Sequence, residues 1–253
     1  MSCNVRIFGV KGSSAIKGIL EGTDIKRYVG GHTDVLINYG ASGMRLQNFY
    51  AKFPPARHIP TINPHVGHSK LRVIRLARDS ELLVPDSKLT LGKPDNIGDW
   101  IEKRIYSQGG YGIRKARNKL PIDGKYYQKF IKNRDYELRV HAFLWMNMKQ
   151  WHVQKRFGSK EEIAWNYANG GYFESVYNTQ FSPYQTAINE TKTVLRMLGM
   201  AFGASDFIVD TKGNVYFIEI NSCPGFQELS KGIYVDAFDS LKAMSLKEVL
   251  KFT

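Results

Sequence analysis

DFIVDTKGNVYFIEINSCPGF, residues Asp206 to Phe226, decides how this chain is read. Two apolar runs flank a short polar stretch, Thr211 to Asn214, in which Gly213 supplies the left-handed backbone conformation a tight turn needs. The spacing predicts a β-hairpin. Counting outward from that four-residue turn sets Asp210 opposite Val215, Ile208 opposite Phe217 and Asp206 opposite Glu219. Cross-strand partners share a face, and Asn221, two residues beyond Glu219, lies on that face as well. Asp206, Glu219 and Asn221 are therefore expected together at one end of a sheet. Three hard oxygen donors suit Mg²⁺, which would balance carboxylates set beside Phe217, Ile218 and Ile220. The alternative is a hairpin end that emerges into solvent, where the same residues are ordinary surface groups.

Outward from the hairpin, SPYQTAINETKTVLRMLG reads as a helix that opens at Ser182, Pro183 and Gln185 and stops at Gly199. Its apolar stripe is Ala187, Thr191, Val194, Leu195 and Leu198. SKEEIAWNYANGG offers a second helix, with Ser159 and Glu162 as a capping box and Gly170 as its end. Strands are expected over Tyr126–Ile131, Tyr136–Leu144 and Trp151–Phe157. WIEKRIY, the glycine-rich loop SQGGYG and IRKAR predict another hairpin, and Ser69 can cap a helix that runs to about Asp79. Nearer the N-terminus, strands at Asn4–Val10 and Asp34–Tyr39 flank the helical SSAIKGILEG, a small α/β unit. Pro54, Pro55, Pro60 and Pro64 then interrupt regular structure and place a boundary near residue 65.

Composition bounds the function. With 253 residues and 43% hydrophobic content the chain can form one compact unit or two to three lobes. No run of about 18 apolar residues occurs, and MSCNVRIFGV lacks a charged lead followed by an apolar stretch, so a cytoplasmic protein is expected. Cys3 and Cys223 are too few for a disulfide framework and are read as reduced. A net charge of +13 favours polyanions: nucleotides, nucleic acid or an acidic partner. His65, His68, His141 and His152 show no triad arrangement, and Cys223 is read as a packed side chain. Lys155 and Arg156 could meet phosphates or be solvated. Arg114, Lys115, Arg117 and Lys119 either add positive charge near the glycine loop or form a solvated hairpin edge.

SQGGYG matches neither GxxxxGK[ST] nor GxGxxG, and alone it is a weak phosphate signal. Lys103 on the entering strand and Lys70 at the preceding helix strengthen it. At these residues the chain resembles the ATP-grasp superfamily, over residues 60–229 and in the same order. HSKLRVIRLARDSELLVP resembles the segment that carries the first phosphate-binding lysine, here Lys70. KRIYSQGGYGI resembles the strand and flap of the ribosomal-protein glutamate ligase branch. That resemblance implies Lys103 as the second lysine and Ser107, Gln108, Gly109, Gly110 and Gly112 as flap residues. YYQKFIKNRDYELRVHAF resembles the stretch from the adenine hinge, Gln128, Lys129, Phe130 and Ile131, to an acidic ribose contact at Glu137 and an arginine at Arg139. SDFIVDTKGNVYFIEINSCPGF resembles the metal segment and implies Asp206, Glu219 and Asn221 as its ligands.

Lys129 departs from the glutamate that many relatives carry at the hinge, and Ala204 from an arginine of the D-alanine:D-alanine ligase branch. The short N-terminal unit resembles compact phage-type members. The resemblance implies an α+β, α/β ATP-grasp fold with lobes at residues 1–65, 66–127 and 128–253. It also implies a carboxylate-amine ligase that uses ATP and Mg²⁺, with Mn²⁺ as a substitute, and proceeds through an acyl phosphate to release ADP and phosphate. Arg139 and Lys103 are the implied catalytic residues, and the substrates are small-molecule or peptide carboxylates and amines. Two other readings stay open: a kinase acting on a hydroxyl, and a non-catalytic nucleic-acid or protein-binding module on this scaffold.

Overall fold

The computed structural model describes residues 3–10, 12–106, 112–159, 162–165, 170–225 and 228–253. The apolar runs near the N-terminus form a parallel sheet. Its strands are β1 (Val5–Gly9), β2 (Lys26–Arg27), β3 (Val35–Tyr39) and β4 (Thr61–Ile62), in the order β2-β1-β3-β4. All five residues of β3 are buried, as a strand covered on both faces requires. Helix α1 (Ser14–Gly22) starts where the Ser13 hydroxyl accepts a bond from the Ile16 amide. Helix α2 (Gly43–Lys52) occupies a stretch that sequence reading left unassigned, and Phe49 stacks on Phe8.

This sheet does not close its own core. Ile7, Ile16, Ile19 and Ile37 pack with Tyr234, Phe238 and Leu241 of a C-terminal helix, Glu228–Ala243, which returns to lie against α1. The expected 1–65 lobe is thus completed by residues more than a hundred positions away.

Helix α3 (Lys70–Asp79) follows, capped by Ser69 as expected. A second sheet is antiparallel, in the order β5-β8-β6-β7: β5 (Ser87–Lys88), β6 (Trp100–Arg104), β7 (Arg114–Lys115) and β8 (Lys125–Lys129). Strand β8 keeps its pairing through Lys129, so this sheet runs past the expected break after residue 127.

The third sheet carries the site. Its order is β11-β10-β9-β12-β13, from β9 (Arg134–Phe143), β10 (His152–Phe157), β11 (Tyr172–Val176), β12 (Phe202–Asp210) and β13 (Val215–Asn221). All neighbours are antiparallel. Helix α4 (Ser182–Met197) covers one face, packing Ala187, Ile188, Val194 and Leu195 against Leu138, Val140, Phe207, Val209 and Phe217. Helix α3 is shared: Val73 and Ala77 join this core, while Leu71 and Ile74 pack on Tyr126 of the second sheet. The C-terminal helix noted above is α5, and α6 (Leu246–Val249) ends the fold behind a Ser245–Glu248 capping box.

Three local expectations need correction. The N-cap of α4 is Phe181, with no side-chain cap bond, so Ser182 and Gln185 do not form the expected start signal. No helix forms over the described part of SKEEIAWNYANGG. The carbonyls of Glu162 and Ile163 accept instead from the Arg134 guanidinium at 2.7 and 3.1 Å, and Trp165 donates to the Ser159 carbonyl. A tertiary partner has taken groups that helix hydrogen bonds would need. The hairpin register also differs near its turn, where Val209, not Asp210, opposes Val215. A β-bulge then inserts Ile218, and from Asp206 opposite Glu219 onward the expected register is restored.

Candidate active site

Side chains alternate along each strand, so one face of the third sheet packs on α4 and the other lines an open cleft of about 1080 Å³. Register fixes who meets whom on the cleft face. Gln154 opposes Arg139, Arg139 opposes Asp206, and Asp206 opposes Glu219, a single row across four strands. The adjoining rows set Arg156 opposite Glu137 and Asn221 opposite Ala204. Asp206, Glu219 and Asn221 are thereby brought together: the Asn221 amide nitrogen lies 3.3 Å from Glu219 and 3.5 Å from Asp206.

Each acid is already paired. Arg139 grips Asp206 with two parallel bonds of 2.7 and 2.8 Å, and Arg156 adds a longer contact of 3.4 Å. Burial alone would raise the Asp206 carboxyl, but the two guanidiniums hold it at about 2. Glu219 is salt-bridged to Lys70 at 2.5 Å, and that ammonium likewise outweighs burial and lowers its carboxyl. Glu137 receives Arg134 on one oxygen and Arg156 on the other, both at 2.8 Å. Burial still raises its carboxyl above the usual range.

Lys103 is buried, and its ammonium donates to the Gln128 side-chain oxygen at 3.0 Å. Burial lowers its pKa to about 8, with Glu219 opposing that shift and Lys70 adding to it. Gln128 thus positions the lysine. At the hinge, the Lys129 and Phe130 amides donate to the carbonyls of Asp86 and Asp99, and both residues line the cleft with Ile131. Of the implied flap, Ser107, Gln108, Gly109 and Gly110 lie outside the described residues. Gly112 has a φ of +79°, with the Arg104 side chain where a Cβ would crowd.

Other charges have different work. Arg114 and Lys125 both pair with the fully buried Glu102, and Lys119 donates to the carbonyls of Gly92 and Lys93. Lys155 sits over the Tyr136 and Phe157 rings, on the face opposite Arg156. His141 is held between Tyr234 and Gln154, and burial drives its pKa to about 3, so it is a neutral packing group. Sequence reading passed over Arg134, Gln154 and Trp165. Arg134 lies 3.7 Å from the Trp165 ring centroid and reaches Glu137, which makes it the outer end of a charge network running through Arg156 to Asp206 and Arg139. Its acid, Glu137, is only three residues along β9, but its other partners, the Glu162 and Ile163 carbonyls and the Trp165 ring, arrive from a distant loop that no local pattern announces.

Among the described residues no group of three His, Cys, Asp or Glu side chains could hold a metal ion. The candidate set is two carboxylates and the Asn221 side-chain amide, whose nitrogen faces both acids here and whose oxygen would face them after a flip of the amide. Such a set fits Mg²⁺ because that ion binds through few carboxylates and completes its shell with water and phosphate oxygens. No described helix is long and apolar enough to cross a membrane.

A parallel N-terminal unit, an antiparallel second lobe and an antiparallel site-bearing sheet around one cleft define the ATP-grasp fold, and this chain has it. It is similar to the ATP-grasp ligase PsnB complexed with minimal precursor, at 14% identity over 95% of this chain and 99% of that one, with a TM-score of 0.66. It is also similar to D-alanine–D-alanine ligase from Bacillus anthracis complexed with ATP (13% identity, 98% and 97% covered, TM-score 0.63). A third likeness is to the macrocyclase MdnC bound with precursor peptide MdnA from Microcystis aeruginosa MRC (13%, 93% and 99%, TM-score 0.59). No family model matches the chain, and no curated protein does.

Proposed function

We propose that the chain is an ATP-dependent carboxylate-amine ligase. The observation that carries this is the transverse row Gln154–Arg139–Asp206–Glu219, which collects two buried acids and their cations at the floor of a nucleotide-sized cleft. Segment Gln128 to Ile131 and the apolar lining from Ile101, Ile113 and Ile208 would take the base and Lys103 the phosphates. Lys70, which lies against Glu219 at the edge of the cleft, would join Lys103 there. Asp206, Glu219 and Asn221 would hold Mg²⁺, or Mn²⁺ in its place. The ion, when bound, neutralises charge on the terminal phosphates.

Phosphoryl transfer rests on positioning and charge balance rather than on a reactive side chain. The γ-phosphoryl group passes to a substrate carboxylate, whose oxygen forms the new P–O bond while ADP leaves. An amine then attacks the acyl carbon, the C–N bond forms, and phosphate departs with the electron pair of the broken C–O bond. Arg139, once turned from Asp206, presents a two-pronged donor to the carboxylate or acyl phosphate. Arg156 and Arg134 keep the neighbouring potential positive, which favours anionic reactants whether carried on small molecules or on peptides. PsnB and MdnC, which take peptide precursors, share this fold and make a peptide-borne carboxylate a sound first substrate to try.

The test is an ADP-release screen over amino acids and short acidic peptides paired with amines, with mass spectrometry of the products. An amide product is expected. A stable phosphorylated product would instead make the chain a kinase, and absence of Mg²⁺-dependent ATP binding at millimolar nucleotide would leave only a binding scaffold.

A further inference from the structure

Behind the cleft lies a second, smaller pocket of about 180 Å³. Glu219 and Asn221 line both cavities, so the proposed metal-binding residues form the wall between them. The remaining polar lining comes from Ser42, His68, Lys70 and Ser222. We propose that this pocket seats the amine reactant, a primary amine on a group about the size of one amino acid, and that His68 Nε2 accepts the proton from its nitrogen. The inference rests on the ligase reading above and names the nucleophile's place within it.

Three observations carry it. The first is location and size. A reactant that attacks an acyl phosphate must approach beside the nucleotide, and this pocket adjoins the cleft at Glu219 and Asn221. At about 180 Å³ it falls well below the roughly 300 Å³ at which drug-sized pockets begin, so it suits a compact amine and excludes a second nucleotide.

The second is the state of His68. Nε2 of His68 has no hydrogen-bond partner among the described residues. The His65 backbone favours a proton on the ring, and with that proton on Nδ1 the unpartnered Nε2 carries the lone pair. Burial, reinforced by Arg72, lowers the ring's pKa and keeps it neutral. Nε2 is also shielded from solvent, a buried acceptor still lacking a donor. The charged and titratable groups around it are Arg72 and His65 beside the ring and Lys70 and Glu219 across the pocket. Access to Nε2 requires movement of the pocket wall, and Lys70, which on the proposed reading leaves Glu219 for a phosphate, is part of that wall.

The third is that the pocket is built with unspent hydroxyl capacity. Ser42 is the N-cap of α2 yet makes no side-chain cap bond. Gly67 gives it room: a Cβ there would fall 2.6 Å from the Ser42 hydroxyl oxygen, on a backbone with φ of +83°. An amine can thus meet a hydroxyl and an imidazole lone pair on the side facing away from the acyl phosphate.

The proton balance closes. The ammonium gives one proton to His68 Nε2, which releases it to solvent, and the freed amine attacks the acyl carbon. As the C–N bond forms, the second N–H proton passes to the phosphate, which leaves with the C–O electron pair.

The experiment compares two nucleophiles with the carboxylate that the ADP-release screen selects. Hydroxylamine is uncharged at neutral pH and needs no proton acceptor to attack, whereas glycine and glutamate arrive as ammonium ions. In His68→Gln, hydroxamate formation should stay within about threefold of wild type, while amide formation should fall by about a hundredfold or more in kcat/KM and rise steeply with pH. Ser42→Ala should raise KM for the amino acid with little change in kcat. Amide formation at the wild-type rate in His68→Gln overturns the proposal. A parallel fall of hydroxamate and amide, marking a structural role, overturns it equally. Absence of hydroxamate from the wild-type protein would remove the acyl phosphate and with it the ligase reading itself.

Discussion

Replacing Arg139 by Met should destabilise the ligand-free protein by about 3 kcal/mol, because it leaves the Asp206 carboxylate buried without its bidentate partner. The side chains are 20% and 10% exposed, so little water can substitute for the guanidinium. Removing one member of such a pair costs about 3–5 kcal/mol, and the Arg156 contact at 3.4 Å keeps the loss near the lower end. An independent route gives the same order. Holding the carboxyl at about 2 against an ordinary 3.8 corresponds to about 2 kcal/mol at neutral pH, at roughly 1.36 kcal/mol per pH unit. The folded-state pKa is depressed, so this contribution is present above about pH 4 and is lost as the pH falls through 2. Urea unfolding of wild type, Arg139→Met, Asp206→Asn and the double variant at neutral pH measures it. The double variant should recover at least about 2 kcal/mol relative to the sum of the singles. A single-variant loss below about 1 kcal/mol, or simple additivity, would show that the pair is not the buried, mutually dependent unit described above.

On the proposed reading, Glu219→Gln should lower turnover by at least about a hundredfold, since it removes one of the two carboxylates of the proposed metal set; steady-state ADP release measures this. ATP binding should weaken by about tenfold between pH 7 and 9, because Lys103, with its pKa lowered to about 8, binds phosphate only when protonated. Lys103→Arg, which stays charged, should flatten that alkaline limb in calorimetric titrations. Gly40→Ala should cost about 2–4 kcal/mol: φ is +80°, and the new Cβ would fall 2.3 Å from the Cys223 Cβ. Thermal unfolding reads that loss directly.

Local signals in the sequence were reliable where the structure is local. The hairpin itself, the Ser69 cap and the strand-helix-strand start follow from turn chemistry, capping and alternation within short windows, whereas the Asp206–Glu219 pairing is reached only because the bulge at Ile218 offsets a one-residue error in the register counted from the turn. Helix α2 was legible too, through Leu46, Phe49, Tyr50 and Phe53 at helical spacing, but the neighbouring prolines drew the reading toward irregular chain. What could not be read depends on register between distant strands. Nothing near Arg139 announces that β9 will lie beside β12 and deliver it to Asp206, 67 residues away. Ser159 and Glu162 have capping-box spacing, yet the described residues 162–165 are not helical, because Arg134 offers the Glu162 and Ile163 carbonyls a charged partner. The closing of the N-terminal unit was not legible for a similar reason, since a core shared with α5 has no sequence edge.

The paired state of the acids changes what loading the site means. Asp206 and Glu219 carry two negative charges, and Arg139 and Lys70 cancel both. On the proposed reading, a dication that enters alone meets an electrically balanced shell and must push two cations aside with nothing to receive them. A triphosphate supplies the receiver. Loading would then be an exchange, in which Lys70 would leave Glu219 for a phosphate oxygen and Arg139 would leave Asp206 for the phosphoryl group or the carboxylate that accepts it, freeing both acids to hold the ion. By linkage, each partner tightens the other by the same factor. Free Mg²⁺ at ordinary concentrations would leave the site closed on itself until nucleotide arrives.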